Sequence, residues 1–195
     1  MKKRTLFCSS LIAVLMSCNN SSDSTTSTDM DSSASTATTT TPPADNAPAT
    51  DSLSSNPDAK LVYELEESMY AGIALMKEGV KKGTNPAFKG LASKLVTEHT
   101  KLTKELEDLS KKKNWPLPAG EPSADMQKRE SMVTEDVAQF QKDWLQSLRD
   151  RHETNIGKLE DAKPSDLDVK AAGEKGLPKI KELLGNIKTV QSNLK

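Results

Sequence analysis

From Val62 onward, apolar residues return at intervals of three and four, in four separate runs. The first holds Val62, Leu65, Met69, Ile73, Met76 and Val80, and the second Phe88, Leu91, Leu95, Leu102, Leu106 and Leu109. The third runs through Val137, Phe140, Trp144, Leu148, Ile156 and Leu159, and the fourth through Leu177, Ile180, Leu184, Ile187, Val190 and Leu194. This is the spacing of helices that each turn one stripe toward a core, and strand alternation is absent. The punctuation agrees. Asn56-Pro57 and Asn85-Pro86 each read as a cap followed by proline at the first helical position, where the missing N–H costs nothing. Lys81, Lys82 and Gly83 read as the end of the first helix, with Gly83 as a C′ glycine, and Lys111 to Lys113 as the end of the second. Ser165-Asp166-Leu167-Asp168 approximates a capping box for the last. A short segment from about Ser123 adds a further helix between helices two and three. Short connections imply antiparallel neighbours, so residues 57–195 are expected to form an all-α, up-down four-helix bundle.

The first 56 residues follow a different logic. Lys2, Lys3 and Arg4 precede a mainly apolar run from Leu6 to Met16. That run is shorter than the about 20 residues a membrane-spanning helix needs, and it reads as a secretory signal over residues 1–17. Leu15-Met16-Ser17-Cys18 resembles a bacterial lipobox, with Cys18 as the lipidated first residue of the mature chain. Cys8 would leave with the signal, so thiolate metal sites and cysteine catalysis drop out for the mature domain. A multiply acylated cysteine anchors a protein stably. Residues 18–56, rich in Ser, Thr, Asp, Ala and Pro, bury too little apolar surface to offset their ordering entropy and read as a disordered tether. As a coil of about 38 residues the tether's mean reach is roughly 35 Å. Within it, Asp23-Ser24-Thr25 and Asp51-Ser52-Leu53 resemble a bacterial O-glycosylation signal at Ser24 and Ser52.

Charge narrows the partners. With the signal removed, 24 basic residues face 28 acidic ones, a formal charge of about −4. Five of the acids lie in the tether, so the bundle is close to neutral and carries no basic face for nucleic acid. No G-x-S-x-G, H-E-x-x-H, Walker loop or dinucleotide fingerprint is present, which leaves nucleophilic and phosphoryl-transfer chemistry without a motif.

Three passages carry a family likeness. "NPAFKGLASKLVTEHTKLTKELEDLSKKKNWPLP" resembles the central motif of the bacterial domain-of-unknown-function family 4142: an N-P, a lysine and small residues, an acidic residue before histidine, and a helix ending in L-P. "FQKDWLQSLRDRHETNIGKLE" places Phe140, Trp144 and His152 where that family usually has phenylalanine, tyrosine and a second histidine, and "GLPKIKELL" resembles its closing motif. The resemblance implies a ferritin-like bundle in the cell envelope, often an outer-membrane protein. It supplies no reaction. The chain departs from the family at Gly72 and Ala74, where glutamates are frequent, and at Leu183, where a histidine is frequent.

His99 and His152, the chain's two histidines, fall on the inner seams of helices two and three. Ferritin-like metal centres use inward carboxylates with Glu-x-x-His pairs. Here Val96 and Arg149 stand three residues before the histidines, while Glu98 and Glu153 turn away by about 100°. Glu66 or Glu67 offers a carboxylate without a spacing that demands one. The expectation is therefore a buried structural pair, its rings satisfied by each other or by the hydroxyls of Thr100, Thr103 or Tyr70. The alternatives are a divalent metal at His99 and His152 and a proton-linked switch. Met69 and Met76 read as gap-filling core residues rather than copper ligands, and Trp115 as a cover over one end of the bundle. The whole reads as a non-enzymatic, lipid-anchored envelope module, structural or binding an envelope or extracellular protein, with no cofactor expected. The alternative is a metal-binding or redox protein.

Overall fold

Two asparagine–proline pairs start the long helices of the N-terminal half. In the computed structural model, which describes residues 51–194, the helices are α1 (Asp51–Ser55), α2 (Pro57–Lys82), α3 (Pro86–Lys113), α4 (Ser123–Thr134), α5 (Val137–Asp161) and α6 (Leu167–Asn193). No strand occurs among the described residues, so the all-α expectation holds. The Asn56 side chain accepts from the N–H groups of Asp58 and Ala59, and that of Asn85 from Ala87 and Phe88, which satisfies donors a helix start leaves orphaned. The signal, Cys18, Ser24 and most of the tether lie outside the described residues. The one-turn α1 falls inside the stretch read as tether, and Ser52 lies in it. No helix among the described residues is long and apolar enough to cross a membrane.

Two ends differ from the sequence reading. Gly83 is not a left-handed cap: its φ is −63°, and a Cβ there would meet the Phe88 ring at 2.5 Å, so close approach is what requires glycine. The left-handed residue is Asn114 (φ 54°), after which Trp115 N–H donates to Ser110 O at 2.9 Å and closes α3. The cap of α6 is Asp166, one residue later than the capping-box reading, because Ser165 is engaged elsewhere. The buried Asp58 Oδ2 accepts from Ser165 N–H at 3.0 Å, Ser165 O–H at 2.8 Å and Asp166 N–H at 2.8 Å, pinning the α5–α6 turn to the start of α2.

Pairings across the bundle fix its direction. Lys94–Glu182, Glu105–Lys175 and Lys112–Asp168 run α3 against α6, while Glu64–Lys158 and Leu75–Trp144 run α2 against α5. The four long helices are thus antiparallel to their neighbours, and α3 and α5 point the same way from opposite corners. The link between them is the exception to short connections. It runs back along the bundle through α4, as a single long crossover does in ferritin-like folds. Arg151 holds α4 through Asp125, and Lys82 bonds the carbonyls of Val133 and Glu135.

The core is tight at one end and loose at the other. At the tight end Trp144 is fully buried, lies 4.5 Å from Phe88 centroid to centroid, and donates its N–H to Leu75 O at 2.7 Å. At the other end, four leucines on the predicted seams, Leu102, Leu106, Leu159 and Leu177, are only half-buried around Met69, Ile156, Ile180 and Leu184. Gly79 is what lets the indole in, since a Cβ there would stand 2.5 Å from the ring. Gly79→Ala is therefore expected to destabilise by about 1–3 kcal/mol through overpacking. An open helix interior would instead gain about 1 kcal/mol from the same change. Urea unfolding distinguishes the two, and a gain would contradict the indole placement.

Candidate functional site

Because α3 and α5 occupy opposite corners, their inward seams meet across the centre of the bundle. There His99 and His152 lie with ring centroids 4.8 Å apart and planes at 68°, both buried. The sequence-predicted pair is brought together. Its hydrogen bonds differ from the expectation: each Nδ1 faces the carbonyl one turn back in its own helix, His99 to Leu95 at 3.1 Å and His152 to Leu148 at 2.7 Å. A carbonyl only accepts, so both rings carry the proton on Nδ1 and present Nε2 as a lone pair. Two lone pairs cannot satisfy each other, and His152 Nε2 is buried with no partner. The hydroxyls are engaged elsewhere. Thr100 donates to Val96 O, Thr103 to His99 O and Tyr70 to Glu107.

The electrostatics keep the pair neutral. Burial, followed by the neighbouring ring, pushes His99 down to about 3, and the Arg151 guanidinium adds to this. Burial pushes His152 down to about 4, against its bond to Leu148 and together with Arg151. Arg151 itself donates to the carbonyl and hydroxyl of Ser68 at 3.3 Å.

A dinuclear metal centre of the ferritin-like type does not fit these residues. Among the described residues no three His, Cys, Asp or Glu side chains converge. Position 72 faces a guanidinium stem, since a Cβ on Gly72 would lie 3.3 Å from Arg151 Cδ. Leu183 is fully buried in the apolar core. Glu67 is half-buried, and Met69 and Met76 pack in the core. Trp115 packs over Val62, Leu109 and Val169 at one end of the bundle.

Sequence reasoning named Glu66 only as a spare carboxylate and missed that it is a second buried acid–base group. Glu66 is fully buried, accepts from Ser110 O–H at 2.8 Å through Oε1, and leaves Oε2 without a partner. Burial raises it to about 7, with the Ser110 bond opposing and Glu107 adding to the rise. The signal was in the pattern: position 66 lies four residues after Val62 and three before Met69, on the core seam. Glu66 bonds α3 at Ser110, three turns from His99, and so is no ligand partner for the histidines.

Fold and site together define an all-helical bundle built around a neutral imidazole pair. The chain belongs to the family described as Domain of unknown function (DUF4142), whose model matches residues 41–190. The resemblance drawn from the motifs is thus the family itself. No curated protein and no solved structure matches the chain.

The shifts oppose each other in pH. A lowered histidine contributes stability above the unfolded value of about 6.5, and that stability is lost as pH falls toward 3–4. A raised carboxyl costs stability as pH rises from the unfolded value of about 4.5 to about 7. Glu66→Gln, which keeps the shape and removes the ionisation, should stabilise the fold by about 2–3 kcal/mol at pH 8 and leave it unchanged below pH 4.5. Urea unfolding at both pH values checks this. An equal effect at the two would contradict a raised pKa at Glu66.

Proposed function

We propose that this protein is a non-enzymatic binding module, anchored in the bacterial cell envelope by lipid on Cys18 and carried on a tether over residues 18–56. The observation that supports this reading best is the state of the two histidines. Both Nδ1 protons are committed to their own helices, and both rings stay neutral across the physiological range, so the groups best suited to chemistry serve as core residues. The lipobox-like Leu15-Met16-Ser17-Cys18 and the uncharged signal core support the anchor, with the outer membrane as the expected location and no cofactor required.

A second reading, binding of one divalent metal ion at His99 and His152, has one observation in its favour. Both Nδ1 groups are pinned to backbone and the buried His152 Nε2 has no partner, which is how metal-ligating histidines are commonly oriented. Against it stand the ligand count of two and the positive charge of Arg151 beside the pair. Metal analysis of the purified chain, with melting temperature before and after chelator, separates the readings. The binding module is expected to carry less than about a tenth of an equivalent and to melt unchanged. One equivalent of metal, lost with a clear drop in melting temperature, would overturn it. The anchor is tested separately: Cys18→Ala should abolish incorporation of labelled fatty acid and release the chain from the membrane fraction. Continued labelling of that variant would contradict the lipobox assignment.

A further inference from the structure

The four half-buried leucines share one cause. They surround a cavity of about 390 Å³ between α2, α3 and the first half of α6, at the end of the bundle where α5 turns into α6. Its walls are mainly apolar, with Leu65, Met69, Leu102, Leu106, Leu159 and Ile180 among them. Volume and lining are those of a ligand pocket, apolar with a few polar groups at the rim.

Helix α6 is built to leave this space. Gly173 and Gly176 both line the cavity, one turn apart, in a helix interior where glycine costs about 1 kcal/mol relative to alanine. A Cβ on Gly173 would point at Leu159 Cδ2 from 3.8 Å, and one on Gly176 would meet nothing within 4 Å. A side chain at position 173 would enter the void toward Leu159, and position 176 leaves its stretch of the wall bare. Pro178 follows within the same helix and withholds the N–H that would bond the Glu174 carbonyl. The wall ahead of it is therefore joined to the rest of α6 by one hydrogen bond fewer. That wall is held to α3 by ion pairs at its surface, Lys112–Asp168 at 2.9 Å and Lys175–Glu105 at 2.7 Å.

The rim has a sign. Lys163 in the α5–α6 turn and Lys170 in the first turns of α6 both line the cavity, are exposed, and form no ion pair among the described residues. Glu105 on the rim is neutralised by Lys175, which leaves Glu174 as one carboxylate against the two lysines. An apolar interior with a net positive mouth is complementary to an amphiphile with one apolar chain and an anionic head. At about 30 Å³ for each water-sized group, 390 Å³ holds roughly a dozen methylenes.

We propose that this cavity binds a single medium-chain fatty acid, the chain lying among the leucines and the carboxylate at Lys163 and Lys170. The inference rests on the binding-module reading and names what the module binds. Calorimetric titration of the full chain with octanoate, decanoate, dodecanoate, tetradecanoate and hexadecanoate tests it. One site per chain is expected, with affinity rising about fourfold per added methylene up to dodecanoate and little beyond, once the void is full. Gly173→Leu, which places a side chain in the void and favours the helix, should weaken dodecanoate binding at least tenfold with the melting temperature held or raised. Lys163→Gln with Lys170→Gln, both at exposed positions, should weaken dodecanoate about fivefold and leave neutral dodecanol unaffected. A flat chain-length series, wild-type binding by Gly173→Leu, or equal loss for dodecanoate and dodecanol would overturn the proposal. So would binding to phosphatidylglycerol vesicles with none to free dodecanoate, since that marks a lipid surface rather than a fatty acid as the partner. A chain that is metal-free and binds no fatty acid refutes the ligand and leaves the binding module standing. A chain with one equivalent of metal refutes the module itself.

Discussion

The two hydrogen bonds from His99 to Leu95 O and from His152 to Leu148 O are the constraint on which the rest of the bundle depends. They fix both tautomers, leave the buried His152 Nε2 without a partner and allow two imidazoles to sit 4.8 Å apart without charge. A charge on either ring at that depth, beside Arg151 and with no carboxylate converging on it, would be severely destabilising. Neutrality is therefore a condition of folding here. The bonds are local to each helix, so they form with the helices and ask nothing of the facing helix.

The pair also marks a boundary in packing. On one side Phe88, Phe140 and Trp144 fill the space between helices, with Gly79 and Gly83 giving way to the rings. On the other side Gly173 and Gly176 withhold side chains and no aromatic residue enters the cavity. One glycine pair makes room for large neighbours, and the other leaves room unfilled. The Asp58 carboxylate, with three donors from Ser165 and Asp166, keeps the loose end from fraying by tying the α5–α6 turn to α2. Tight apolar packing is thus concentrated away from the cavity.

Periodicity made the helices and the histidine seam legible, because burial repeats with the helical turn wherever a core exists. Val62, Leu95, Leu148 and Ile187 are all core residues as their spacing required. Asn56 and Asn85 cap where the Asn-Pro pairs placed them. Gly83 was misread because two uses of glycine, a left-handed turn and a close approach, look alike in sequence. Glu66 sat in the pattern but is charged at neutral pH in isolation, and only the surrounding burial reveals that its pKa is raised to about 7. The cavity left its trace in the seam of α6, where Gly173 and Gly176 interrupt the helix interior, but the volume depends on what three other helices fail to supply. The partners of the histidines were illegible for a similar reason. A side chain bonding its own helix backbone leaves no signature in residue type.

The central claim is that the imidazole pair is a neutral, backbone-bound core element, and nitrogen NMR of the two rings across pH tests it directly. Both His99 and His152 should give the Nδ1-protonated tautomer with shifts that stay constant from pH 8 to pH 5 and do not respond to added zinc. A titration midpoint near 6.5, an Nε2-protonated ring, or a zinc-dependent shift of both Nε2 resonances would contradict the account.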